Sequence, residues 1–124
     1  MNTLLNVKKL IHEIVKEESI IIGIPNTEIA ELIMQRRRQI WIHSIIYYEF
    51  NDNIISDAQW TKWAIELTEL QNEYPEISKS LPFYDIFKDF DYSTGYTLPL
   101  RDSDKMATAE WLLNYDKKRK KSTT

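Results

Sequence analysis

The chain has 124 residues, 43% of them hydrophobic, with 16 Lys+Arg against 19 Asp+Glu, a net charge of −3 and no cysteine. That length makes one domain that buries roughly two-thirds of its unfolded surface. The missing cysteines exclude disulfides, thiolate metal sites and cysteine nucleophiles, and fit a cytoplasmic protein.

No apolar run approaches the ~20 residues of a membrane helix. Glu13, Glu17 and Glu18 follow the first lysines, so no secretory signal is expected. Two glycines and four prolines favour helices joined by short loops. Charge is unevenly placed. Arg36, Arg37, Arg38 and the tail Lys117, Lys118, Arg119, Lys120, Lys121 hold eight of the 16 basic residues, which leaves an acidic body elsewhere.

Leu4, Leu5, Val7, Leu10, Ile11, Ile14 and Val15 recur at helical spacing, and residues 2–22 begin as a first helix that Ser19-Ile20-Ile21-Ile22 either extends or follows as a short extended piece, stopped in both cases by Gly23 and Pro25. Asn26 and Thr27 offer caps for a second, with Glu28 and Glu31 in its first turn. This helix runs through Tyr48. Its middle, residues 40–48, is apolar nearly all round and reads as the central buried helix. Asn51-Asp52-Asn53 is a turn, and Ser56-Asp57-Ala58-Gln59 has the form of a capping box. The helix that follows carries a stripe at Trp60, Trp63, Ala64, Leu67, Leu70 and Tyr74, places Glu66 and Gln71 on the wet side, and ends at Pro75. A short helix is expected within residues 81–90, a turn at Ser93-Thr94-Gly95, an extended piece at Leu98-Pro99-Leu100, and a last helix from Ser103 or Asp104 using Met106, Ala109, Trp111, Leu112, Leu113 and Tyr115. The fold expected is all-α, a small bundle of four to five helices around a helix-turn-helix hairpin. It occupies residues 1–116 as one domain, with 117–124 a basic tail, disordered or loosely helical.

Tyr47-Tyr48, Ser56-Asp57-Ala58, Leu67, Leu70 and Tyr74-Pro75-Glu76 carry a family pattern. Residues 36–77 resemble the helical N-terminal (Ia) domain of bacterial NAD-dependent DNA ligases. In that family the domain closes over the nicotinamide mononucleotide half of NAD. The resemblance implies a cofactor site at Tyr47, Tyr48, Asp57, Trp60 and Thr61. Tyr47 and Asp57 match contact positions, and Tyr48 matches a position held by His or Tyr. Trp60 replaces a Tyr, which removes a hydroxyl, and Thr61 replaces a second Asp, which removes an acceptor. Ligases also carry AMP on the Lys of a K-x-D-G motif. The nearest string here, Lys88-Asp89-Phe90-Asp91, lacks that spacing and the glycine, so no catalytic residue is assigned. Free-standing proteins with this resemblance are associated with bacteriophages and prophages.

His43 lies in the apolar helix and reads as a core or boundary histidine, since a base needs an orienting partner. No metal-ligand spacing is present. Trp60, Trp63 and Trp111 read first as core. Tyr84, Tyr92 and Tyr96 in the irregular segment read as interface residues, with Asp85, Asp89 and Asp91 as an acidic patch and Arg36, Arg37 and Arg38 as a basic one. The function expected is therefore a non-catalytic protein-binding module without a cofactor: a phage accessory protein in a bacterial host cytoplasm that inhibits a host enzyme, for example a CRISPR effector or another defence nuclease. One alternative is a binder of NAD or nicotinamide mononucleotide. Another is a DNA-binding accessory protein using Arg36–Arg38 or residues 117–121.

Overall fold

The computed structural model describes residues 24–122. These form five helices and no strand: α1 (Ile24–Glu49), α2 (Asp57–Glu73), α3 (Pro75–Ser80), α4 (Tyr84–Phe87) and α5 (Ser103–Ser122). The domain is all-α. The helix expected over residues 2–22 lies outside the described residues. Among those described, no helix is long and apolar enough to cross a membrane.

α1 is the central element and packs against α2, α3 and α5. Ile29, Ile33, Ile40, Trp41, Ile42, Ile45 and Ile46 from α1 are buried with Leu67 and Leu70 of α2, Phe87 of α4 and Leu113 of α5. The chain is already helical at Ile24, the first described residue, so Asn26 and Thr27 lie inside the helix rather than capping it. α2 begins as its sequence indicates. The Ser56 hydroxyl accepts from the Gln59 N–H at 3.1 Å, and Asp57 stands in the first turn. Pro75 ends α2 and also opens α3 as its first residue.

The largest departure from the hydrophobic pattern lies under α1. Arg37 is fully buried. Its Nε donates to Gln71 Oε1 at 2.9 Å, Nη1 to the Pro82 carbonyl at 2.8 Å, and Nη2 to the Ser78 carbonyl at 3.1 Å and Ser78 Oγ at 2.8 Å. The guanidinium lies 6.0 Å from the Phe87 ring. Gln71, expected on the wet side, is buried because it relays this cluster to α4, donating from Nε2 to the Phe87 carbonyl at 3.0 Å. Glu66, also expected outside, is buried and accepts from Arg36 Nε at 2.8 Å. Burial pulls the Arg37 guanidinium down to about 10, against a smaller raising effect from Tyr84.

Residues 88–102 are a run of turns that takes in the expected turn at Ser93-Thr94-Gly95 and also Leu98-Pro99-Leu100, where an extended piece is expected. The Leu98 N–H donates to Gly95 O at 3.2 Å and that of Asp102 to Pro99 O at 3.4 Å. Trp41 Nε1 holds this loop to α1 through the Pro99 carbonyl at 2.9 Å. The helix expected within 81–90 is confined to α4, because Phe83 takes a left-handed backbone (φ 72°) just before it.

α5 buries Ala109, Leu113 and Asp116. It stays helical through 117–121, in the stretch read from composition as disordered or loosely helical. Asp116 accepts from Lys120 at 2.9 Å and Arg119 at 3.1 Å, and Lys117 lies 3.6 Å from Asp52. Cations in a last turn also suit the helix dipole.

Two stability outcomes follow from these contacts. Arg37→Lys keeps the charge but cannot reproduce the fork, and is expected to destabilise the fold by about 2 kcal/mol or more, read by denaturant unfolding. The Tyr74 hydroxyl is buried with no hydrogen-bond partner. Tyr74→Phe should therefore leave Tm unchanged or raise it; a clear drop would show that the hydroxyl is satisfied.

Candidate functional site

The α1–α2 hairpin opens into a cleft of about 210 Å³. Its walls come from three places. The end of α1 gives His43, Ser44, Tyr47 and Tyr48; the connection and first turns of α2 give Asn53 to Asp57, Trp60 and Thr61; and the turn before α5 gives Thr94 and Gly95. The five residues singled out by the resemblance, Tyr47, Tyr48, Asp57, Trp60 and Thr61, thus line one cleft.

Ser44 organises its floor. Its hydroxyl donates to the Ile40 carbonyl at 2.6 Å and accepts from Trp60 Nε1 at 3.2 Å, so the indole is fixed and its one donor is occupied. Gly95 closes the wall. A Cβ there would overlap the Ser44 hydroxyl and stand 3.2 Å from Trp60 Cζ2, a close approach that only glycine permits. The Asp91 carboxylate accepts from the Ser93 hydroxyl and, at 2.8 Å, from its N–H, which shapes the turn and holds the Asp91 carboxyl below its ordinary range. The Tyr48 hydroxyl pairs with Thr94 Oγ1 at 3.0 Å, tying the turn to α1.

The mouth is aromatic. Tyr47 meets Tyr48 edge-to-face at 4.8 Å, and Tyr48 meets Tyr96 at 5.3 Å. All three are exposed, as are Asp57 and Thr61. His43 contributes an imidazole 5.7 Å from the Trp63 ring, and its Nδ1 is buried with no hydrogen-bond partner. Desolvation holds this imidazole below its ordinary pKa, so the neutral ring is the folded form. The cleft therefore offers one exposed carboxylate, one free threonine-type hydroxyl position, aromatic faces and a neutral imidazole.

The proposed partner-binding residues do not form one surface. Successive helical positions turn by about 100°, so three consecutive arginines diverge. Arg37 enters the core. Arg36 pairs with Glu66, donates to Gln39 Oε1 at 2.7 Å and lies 5.7 Å from the Trp63 ring. Only Arg38 is exposed, and the basic patch expected of the triplet is corrected to that one residue. Asp85, Asp89, Asp91, Tyr92 and Tyr96 are exposed, while Tyr84 is half-buried. Trp111, read first as core, is 65% exposed. Sequence reasoning did not place His43, Ser44 or Gly95 at a site. The one available signal was that Gly95 is one of two glycines in the chain.

Two DNA ligases, from Thermotoga petrophila and Thermotoga sp. (strain RQ2), are each 28% identical to the chain over 103 residues. The match covers 77% of this chain but 14% of each ligase. The chain is thus DNA ligase-like over a small part of those enzymes. No protein-family model matches it, and no solved structure does.

Two tests address the cleft as built. Gly95→Ala must push the turn off Ser44 and Trp60, and should lower Tm and shift the Trp60 indole resonance. The unfolded chain, with His at its ordinary 6.5, binds more protons than the fold just below that pH. Stability should then fall as pH drops beneath about 6.5. In His43→Gln that part of the pH dependence should vanish, as read from denaturant midpoints.

Proposed function

We propose that the chain is a DNA ligase-like helical module whose hairpin cleft holds nicotinamide mononucleotide, free or as that half of NAD. The observation that carries this reading is the convergence of Tyr47, Tyr48, Asp57, Trp60 and Thr61 on one cleft. Its volume lies below the ~300 Å³ at which drug-sized sites begin. A pyridinium ring with part of its ribose suits that space better than a whole dinucleotide. Asp57 would accept from ribose hydroxyls, and the faces of Tyr47 and Trp60 would meet the cationic ring, an attraction of about 0.5–2 kcal/mol. Trp60 serves as a face only, its N–H being held by Ser44. Thr61 supplies a neutral hydroxyl where a carboxylate would attract the cation more strongly. Support also comes from the ligase similarity, which spans most of this chain.

Calorimetry with nicotinamide mononucleotide and NAD tests the proposal. Binding is expected, with Asp57→Ala and Tyr47→Ala each weakening it about tenfold or more, the loss of one charged hydrogen bond or ring contact, at unchanged Tm. No heat at millimolar ligand overturns it.

A second reading draws on the exposed Tyr47, Tyr48 and Tyr96 at the mouth. Contiguous exposed tyrosines make good interface anchors. On this reading the protein is a phage or prophage accessory factor acting in a bacterial cytoplasm, and this rim contacts a host enzyme such as a CRISPR effector or another defence nuclease. Capture of a stoichiometric partner that is lost in Tyr48→Ala/Tyr96→Ala would support it; equal capture by that variant would count against the rim.

A further inference from the structure

The outer face of α5 carries an aromatic pair that the fold does not use. Trp111 and Tyr115 stand one helical turn apart and stack nearly parallel, with centroids at 5.4 Å and planes at 13°. They are 65% and 53% exposed. Ala109, Leu113 and Asp116, the buried ridge of the same helix, lie half a turn round from them. The two rings thus point directly away from the core. Lys118 is exposed and continues their stripe at the i, i+4, i+7 spacing.

We infer that this face is a stacking platform for single-stranded nucleic acid, with the last turns of α5 as its phosphate-binding end. Three observations favour that occupant. Between Trp111 and Ser122 there is one carboxylate, Asp116, against five cations at 117–121. Asp116 is buried beneath Arg119 and Lys120, so the exposed surface on the C-terminal side of the rings is cationic, while exposed Asp104 and Glu110 lie on their N-terminal side. The apolar patch stops at two rings, with Asn114 at i+3 and Lys118 at i+7. A helix that docks into a protein groove would continue with apolar anchors at those positions. Flat exposed rings also suit unpaired bases, which offer a π-face regardless of sequence, whereas bases in a duplex are already stacked. The inference does not depend on the cleft, which draws its walls from other elements.

Fluorescence anisotropy of a labelled oligothymidylate about 12 nucleotides long, within the usual footprint of such sites, provides the test. Wild-type protein should bind it at low salt and release it steeply as salt rises. Trp111→Ala and Tyr115→Ala should each weaken binding about 5- to 150-fold, while Tyr115→Phe should retain it because the ring, not the hydroxyl, makes the contact. Lys118→Ala should reduce the salt slope by about one contact. Tm should hold in each variant, since these side chains face solvent. Absence of binding at low salt, unchanged affinity in Trp111→Ala/Tyr115→Ala, or preference for a duplex of the same length would overturn the inference.

Discussion

The buried guanidinium of Arg37 is the interaction on which the helical frame depends. One side chain from the middle of α1 reaches Gln71 in α2, Ser78 in α3 and the Pro82 carbonyl before α4. Gln71 extends it to the Phe87 carbonyl. Its four hydrogen bonds run to neutral acceptors. A charge taken out of water without such partners would be strongly destabilising. The geometry must therefore be kept whole, and this fixes the two short helices α3 and α4 against the α1–α2 pair. Arg36 and Glu66 repeat the device one position along, locking α1 to α2 on the neighbouring face.

That frame sets the opening of the cleft. α1 and α2 are held together at Arg36 and Arg37 and again where Trp60 donates to Ser44, and Thr94 and Gly95 line the cleft beside that contact. Gly95 lets the turn approach closely enough to form a wall, and Tyr48 ties it down through Thr94. The site is thus shaped by one hydroxyl, one missing side chain and one indole, while the groups free to meet a ligand, Asp57, Thr61 and Tyr47, sit at the rim.

Much of this was legible in the sequence, for identifiable reasons. The Ser56 cap and the apolar run over 40–48 are local signals: α2 starts at the cap, and the run is buried over most of Ile40 to Ile46, with Tyr47 and Tyr48 exposed. The resemblance placed Tyr47, Asp57 and Trp60 together because their spacing spans a single hairpin. What could not be read were the polar groups that the core absorbs. Arg37, Glu66 and Gln71 look like solvent-facing residues by type, and only tertiary partners far along the chain make them interior. Trp111 failed in the opposite sense: a hydrophobic residue in a helical pattern reads as core, yet the ridge that α5 buries runs through Ala109 and Leu113. The basic tail read as disordered or loosely helical, because composition does not reveal a buried Asp116 that gathers Arg119 and Lys120.

The central proposal is that the hairpin cleft binds a nicotinamide nucleotide. Its most direct test is a heteronuclear NMR titration with nicotinamide mononucleotide, following backbone amides and the four tryptophan indoles. The account predicts saturable shifts confined to the Trp60 indole, the Gly95 amide and the amides of Tyr47 and Asp57, with the Trp111 indole unmoved. A spectrum that stays still, or moves at α5 and not at the cleft, would contradict it.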